Sequence, residues 1–440
     1  MPFIVHAPDQ PVAWRQGKAI TAASLREDAL HLAKALPAGS HLVNLCEDRY
    51  HFMVGFAAAL MLGKTTLMPP NNSPGAIGEL MQDHPGCHCL YDKPVEGVQS
   101  PGIDIGQWLH DPHTCRASMP DSLNGDQLAA VLYTSGSTGR PSANRKSWYN
   151  LQQEARTALR HFPFIARGVR SLVATVPSQH MYGLATSILF PWQGGFAIDT
   201  GRPFFPADIA DALNRLPAPR VLITTPLHLR ACVSAGIEWP ELSFIISATA
   251  PLSKELAEQA EQALSAEVFE IYGSTETGSV AGRRTVDDDL WQLYDGMCLN
   301  LENNRHVIQG GHLRQGVKLN DRLRIDSPDR FELIGRDSDM VKIAGKRASL
   351  ADLSRYLLNI PGVDDGLFLA PEESKENARL SALVVAPTLN DQQILQALAH
   401  CIDPVFLPRP VHRVERLPRN ETGKLPAAAL RQLLESLGTG

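Results

Sequence analysis

Short β-branched runs alternate with helical patterns along most of this chain, and that alternation restricts its possible folds more than any other feature. "HLVNL" is followed by "YHFMVGFAAALML", "VLITT" by "LHLRACVSAG", and "FIISATA" by "KELAEQAEQAL" and then "VFEIYG". The pattern predicts crossover units, an α/β architecture of mainly parallel sheets flanked by helices. At 440 residues the chain exceeds what one hydrophobic core usually supports, so at least two domains are expected. From about Arg336 the texture changes to a helix "LADLSRYLLNI", strands "GLFLA" and "LSALVVA", a helix "DQQILQALAHCI" and a last helix ending near Leu437. About a hundred residues suffice for a small α+β domain. The expected division is therefore an N-terminal core of residues 1–336 and a C-terminal domain of residues 337–440. The Pro-, Asp-, Ser- and Gly-rich stretch from about Val98 to Asn124 predicts a connection with little regular structure.

A net charge of -6 disfavours nonspecific adhesion to nucleic acid or anionic lipid. The longest apolar segment, Phe52–Gly63, falls short of the roughly 20 residues that span a bilayer and predicts a buried helix. Neither a nucleic-acid partner nor membrane insertion is expected. Seven cysteines lack framework spacing, and the N-terminus lacks the basic-then-apolar pattern of a signal peptide, so a reducing cytoplasm is the expected location. His84, Cys87, His88 and Cys89 crowd together but lack the distant second ligand pair of a structural zinc site.

Immediately after the apolar run "LAAVL" comes "YTSGSTGRPSANRKSW", Tyr133 to Trp148. Phosphate ligands in α/β folds sit at the carboxyl ends of strands, where this turn is placed. Gly136 and Gly139 let backbone amides approach a ligand, while Thr134, Ser135, Ser137 and Thr138 add hydroxyl donors, together a polyphosphate cradle. No lysine follows the second glycine, so the turn is not the G-x-x-x-x-G-K-[ST] loop of Walker-type nucleotidases.

Downstream stand "EIYGSTETG" (Glu270–Gly278), "IGRDSDMVKIAGKR" (Ile334–Arg347) and "LPRNETGKL" (Leu417–Leu425). With the first turn, in this order, they resemble the adenylate-forming enzymes: acyl- and aryl-CoA synthetases, peptide-synthetase adenylation domains and luciferases. The resemblance covers nearly the whole chain. It implies a large N-terminal domain, a small mobile C-terminal lid and a site between them. There a carboxylate attacks the α-phosphate of ATP with magnesium present, and a thiol then displaces AMP from the acyl-adenylate.

Residue by residue, the resemblance assigns Tyr272 as an aromatic wall with Gly273 and Ser274 beside it, Thr275 as an α-phosphate hydroxyl, and Glu276 as the magnesium ligand. Asp321 and Arg336 are the ribose contacts, although Leu319 and Asn320 replace the Thr-Gly that usually precedes the aspartate; a surface salt bridge is the other reading of Asp321. Lys424 matches the catalytic lysine, an ammonium that bridges the carboxylate and the α-phosphate. In "VPSQHMYGL" His180 is the pocket gate, with Tyr182 and Gly183 beside it, and a core histidine is the alternative; Ser247, Ala248, Thr249 and Ala250 border the acyl pocket.

Three departures from the pattern are informative. Ser142 replaces the usual motif lysine, and Arg145 with Lys146 is the expected replacement anchor for pyrophosphate, unless the pair is a solvated helix start. Ser338 occupies the hinge position between Asp337 and Asp339. The short chain and "RKSW" look most like the compact aryl-acid ligases of aryl-polyene and xanthomonadin-type pigment pathways, which load 4-hydroxybenzoate or a related acid on an acyl carrier protein. A carrier-protein thiol is therefore the expected acceptor, with CoA as the alternative. A non-catalytic nucleotide-binding relative is a further reading, opposed by the presence of both Glu276 and Lys424.

Overall fold

The computed structural model describes residues 1–95, 102–110, 120–134, 142–303, 305–336, 339–343, 346–370, 379–420 and 423–437. The strands Val268–Ser274, Phe244–Ser247, Arg220–Thr224, Ser171–Ala174, Ala197–Asp199 and Pro11–Arg15 lie side by side in that order, each parallel to the next. Val221–Thr224 and Phe244–Ser247 are buried at every position, the continuous apolar reading of strands covered on both faces. Antiparallel strands extend this sheet on both sides, Lys18–Thr21 at one edge and Gly278–Arg284, Leu290–Leu293, Arg330–Arg336 and Asp321–Ser327 at the other, so the eleven-stranded whole is mixed.

A second, six-stranded sheet runs Gly102–Asp104, His88–Tyr91, His41–Asn44, Thr65–Met68, Leu128–Thr134 and Ser142–Ser147, parallel except at its last pair. The apolar segment around Phe52 is the helix Arg49–Met61, which Asp48 caps by accepting from the His51 amide and which is buried along nearly its whole length. Among the described residues, no helix is long and apolar enough to cross a membrane. The helix Trp148–His161 opens on a capping box between Ser147 and Asn150 and buries Trp148, Leu151, Ala155 and Ala158 against the main core.

The stretch from Val98 to Asn124 carries more structure than its composition predicts. Gly102–Asp104 adds an edge strand, and Ile105–His110 is a helix started by the Asp104 carboxylate, which accepts from the Gly106 amide at 3.0 Å. The fully buried Ile105 supplies the apolar anchor that the turn-forming residues around it hide.

Beyond residue 339, helices Leu350–Leu358, Asp391–Cys401 and Ala427–Ser436 lie where the periodicity places them, with strands Asp365–Leu369 and Ser381–Val385. Sequence reading missed a hairpin, Met340–Ile343 with Lys346–Ser349, and the short parallel strand Val411–Arg413. The apolar clusters of this part draw only on residues 341–434, and the other three clusters draw only on residues up to 333.

Candidate active site

Three adjacent parallel strands bring Thr224, Ser247 and Glu270 into register, the third running on to Ser274, and the residues of interest gather at these carboxyl ends. Val268–Ser274 turns directly into Gly278–Arg284, with a bulge between Tyr272 and Gly273. A side chain at Gly273 would run into the Gly278 carbonyl, and one at Gly278, held at φ +70°, would run into the Glu154 carboxylate. The turn is laced by Ser274 and Thr277: each backbone amide donates to the other's hydroxyl, at 3.0 and 3.2 Å. Thr275 is thereby buried and Glu276 is left exposed at the tip.

Beneath this turn lies a polar support. The buried Lys146 ammonium donates to the Glu276 carbonyl at 2.8 Å. His312, fully buried, pairs through Nε2 with the Thr277 carbonyl at 2.6 Å, and Glu154 accepts from the Ser279 amide and hydroxyl at 2.8 and 2.9 Å. Burial holds the Lys146 ammonium below the usual lysine range, opposed by the charges of Glu154 and Glu276. The turn that carries Glu276 is therefore held from below by three side chains on other elements.

On one flank the Tyr272 hydroxyl donates to Asp321 Oδ2 at 2.7 Å, while its ring lies 5.5 Å from Trp291 and 5.3 Å from Phe331. Asp321 and Arg336 are direct register partners on a two-stranded hairpin. The two residues assigned to the ribose thus come from one rung, with the aspartate tied to the aromatic wall.

On the other flank Thr249 holds φ +83°, a conformation that a β-branched residue adopts only under strain and that concentrates at functional sites. Ser247 is fully buried, and its hydroxyl has no partner among the described residues. Tyr182 is buried with its hydroxyl donating to the Thr224 and Ile246 carbonyls at 3.1 and 3.0 Å, so it bolts two strand ends together. Gly183 is required because any side chain there would meet the Pro177 carbonyl. His180 caps this short segment, accepting from the Tyr182 amide at 3.3 Å. Burial, reinforced by the charge of Lys424, lowers its pKa from 6.5 to about 3, which keeps the imidazole neutral.

Lys424 therefore stands within electrostatic reach of His180 although 244 positions separate them in the chain. Its turn docks on the helix Pro226–Ser234, where a β-carbon at Gly423 would lie 3.7 Å from the Leu227 β-carbon and 4.0 Å from Thr225 Oγ1. Arg419 forks onto Asp365 at 2.6 and 2.7 Å and donates its third nitrogen to the Gly423 carbonyl at 2.8 Å. A cleft of about 240 Å³ lined by Arg230, Ser253, Glu255, Asn359 and Asp364 marks the same seam.

The structure parts the residues expected to anchor pyrophosphate. Arg145 and Lys146 are neighbours on the strand Ser142–Ser147, so they face opposite sides of the sheet. Arg145 is exposed and its charge is felt by His41 and Tyr133, whereas Lys146 is buried against the Glu276 carbonyl. Neither a paired anchor nor a solvated helix start describes them. Thr134 meets Ser142 through their hydroxyls at 2.7 Å. Ser135, Gly136, Ser137, Thr138 and Gly139 of the cradle, and Ser338 of the hinge, lie outside the described residues. Glu154, His312, Asp365 and Arg419 were not singled out from sequence, because each acts through a partner far away in the chain.

Residues 4–298 match the AMP-binding enzyme family. The 4-coumarate–CoA ligase of Cereibacter sphaeroides is 25% identical over 329 residues, covering 73% of this chain and 74% of that protein. The anthranilate–CoA ligase of Pseudomonas aeruginosa is 24% identical over 498 aligned positions, covering 98% and 95%. Among solved structures, O-succinylbenzoate coenzyme A synthetase of Bacillus subtilis in complex with ATP and a magnesium ion superposes with a TM-score of 0.80 at 16% identity, over 98% of this chain and 97% of that one.

Proposed function

This chain belongs to the AMP-binding enzymes, the ATP- and magnesium-dependent, AMP-forming acid–thiol ligases, and on that premise we propose that it activates a small aryl acid as its adenylate and passes the acyl group to a pantetheine thiol. The best candidate acid is 4-hydroxybenzoate. The observation that carries the proposal is that the turn bearing Lys424 docks at Thr225 and Leu227, next to the strand end at Thr224, where the charge of Lys424 is felt by His180. Curated relatives named for 4-coumarate and anthranilate support the aryl class of the acid.

In this reading Asp321, aligned by the Tyr272 hydroxyl, accepts from the ribose hydroxyls, with Arg336 on the same rung. Thr275 and Lys424 meet the α-phosphate region, where a fixed ammonium stabilises the charge that develops as the carboxylate oxygen attacks and pyrophosphate leaves. Neutral His180 and strained Thr249 border the acid, and a neutral imidazole neither repels nor traps the charge of the incoming carboxylate. The donor set fits magnesium: one exposed hard carboxylate on a rigid turn, with substrate phosphate oxygens to complete the shell, is the usual binding mode of that ion. Magnesium bound at Glu276 would neutralise phosphate charge. We place the division between the two units at residues 336 and 337, with Ser338 as the pivot.

Pyrophosphate exchange into ATP against 4-hydroxybenzoate, 3-hydroxybenzoate, 4-coumarate, benzoate, octanoate and several amino acids tests the reading. Exchange with an aryl acid that Lys424→Ala abolishes is expected. Exchange with octanoate or an amino acid alone would keep the family and sink the aryl assignment. Thioester formation with free CoA, set against a phosphopantetheinylated carrier protein, then separates the two sources of the thiol.

A further inference from the structure

We propose that Arg419 is the positioning residue that presents Lys424, and that it does so through a clamp, Asp365–Arg419–Gly423, beside a helix end, Leu358 and Asn359, that Arg230 and Glu255 of the N-terminal part hold. The inference rests on the reading of Lys424 as the adenylation lysine.

The turn that carries Lys424 is closed by its own backbone. Gly423 N donates to the Asn420 carbonyl at 2.9 Å, Asn420 N to the Lys424 carbonyl at 2.7 Å, and Lys424 N to Asn420 Oδ1 at 2.9 Å. A turn fixed internally still needs an external reference to set its direction. Arg419 supplies it, because one planar guanidinium binds both oxygens of Asp365 and the Gly423 carbonyl at once. Asp365 begins the strand Asp365–Leu369, so the orientation of the turn is referred to the C-terminal sheet. Arg419 and Asp365 are largely shielded, with side-chain exposures of 21% and 17%. A lysine at 419 keeps the charge and loses the fork.

The clamp continues across the seam. Arg230, on the helix Pro226–Ser234, donates to the Leu358 carbonyl at 3.2 Å, at the end of the helix Leu350–Leu358. Asn359, next to Leu358, donates to Glu255 at 3.0 Å. The start of that same helix, at Thr225 and Leu227, receives Gly423 at van der Waals distance. One helix therefore touches the C-terminal part twice, at the lysine turn and at the helix end, Leu358, that precedes Asp365 in the chain. A displacement of either contact is transmitted to the other through Asp365 and Arg419. Such a device favours the arrangement in which Lys424 reaches His180 and contributes nothing once the lid has moved away.

The test uses the full chain with Arg419→Lys, Arg230→Ala and Lys424→Ala, and two readouts. The first is pyrophosphate exchange with the acid panel above. The second needs no acid: the rate of disulfide capture between Leu227→Cys and Gly423→Cys, whose β-carbons would stand 3.7 Å apart, with Cys115, Cys298 and Cys401 replaced by serine. The strain of a side chain at φ +77° is common to every arm. Arg419→Lys should slow exchange about tenfold or more, as expected for loss of a charged hydrogen-bonded fork, and Arg230→Ala about fivefold, both in kcat rather than in the acid KM. Capture should slow in the same order while the thermal midpoint stays at the wild-type value. Adding Arg419→Lys to Lys424→Ala should slow exchange no further.

Wild-type exchange and capture in both arginine variants would overturn the proposal. So would a fall in the thermal midpoint that accounts for the slower capture, since the fork would then be structural only. Full exchange in Lys424→Ala, or silence of the wild type across the panel, would instead strike the proposed function, and capture would still decide whether the clamp exists.

Discussion

The Lys146 ammonium donates to the backbone carbonyl of Glu276 at 2.8 Å, joining the strand that follows the first glycine turn to the tip of the second. This contact makes Lys146 a support for the turn that bears Glu276, the residue proposed to hold magnesium. Lys146→Met keeps roughly the length of the side chain and removes a charged donor from the Glu276 carbonyl, a loss of about 1.5–3 kcal/mol. The variant should unfold at lower urea concentration and need more magnesium for half-maximal pyrophosphate exchange, with the ATP requirement at saturating magnesium little changed. An unaltered magnesium titration would reduce Lys146 to a structural residue.

This lysine also shows where sequence reading runs out. The period-two alternation on Ser142–Ser147 was available in principle, but Ala143, the one apolar residue of "SANRKS", is out of phase with Lys146, so Lys146 read with Arg145 as a pyrophosphate anchor or a solvated helix start. Periodicity did place the long helices, because Leu353 and Leu357, or Ile394 and Leu398, repeat at helical spacing and are buried. The short hairpin Met340–Ile343 with Lys346–Ser349 has no such excess of apolar positions. Glu276 and Lys424 could be singled out as candidates because each sits on a glycine-bounded turn of characteristic composition. Glu154, His312 and Arg419 were not, since a buried ion on a helix or loop is identified only by its partner, and those partners come from remote segments.

His180 gives stability a defined pH dependence. Its folded pKa of about 3 lies below the unfolded value of 6.5, so between those limits the unfolded chain holds a proton that the folded chain lacks. Its contribution is fully present above about pH 6.5 and is lost as pH falls toward 3. His228, lowered to about 4 by burial and by the charge of Arg202, acts in the same direction. His180→Asn should therefore lose less stability than the wild type between pH 7.5 and 5 in urea unfolding. An equal loss in both proteins would contradict the burial assigned to His180. Because Lys424 is the second cause of the shift, Lys424→Ala should raise the His180 pKa as read by NMR of the ring.

Tyr272 and Asp321 should separate by their effect on nucleotide affinity. Tyr272→Phe preserves the ring contacts with Trp291 and Phe331 and removes only the donor to Asp321, a loss of about 1 kcal/mol or roughly fivefold in the KM for ATP. Asp321→Ala removes the ribose acceptor itself, and a charged hydrogen bond of about 1.5–3 kcal/mol predicts at least a tenfold increase. Steady-state exchange at saturating acid checks both. Equal effects of the two substitutions would mean that the phenol, and not the carboxylate, meets the nucleotide.

Lys424→Ala should divide the two half-reactions. The turn that carries the ammonium lies on the helix Pro226–Ser234, and in the proposed role its charge is needed where the α-phosphate and the departing pyrophosphate gather negative charge. Removing one fixed donor of that kind costs roughly 10²–10³ in rate, so pyrophosphate exchange should fall by that factor. Displacement of AMP by a thiol develops no charge on pyrophosphate, which has already left. Transfer from chemically prepared acyl-adenylate to CoA or a carrier protein should therefore stay within about twofold of wild type. Equal loss in both steps would place Lys424 at the acyl carbon rather than at the phosphate, and would require the lid to hold one position throughout the reaction.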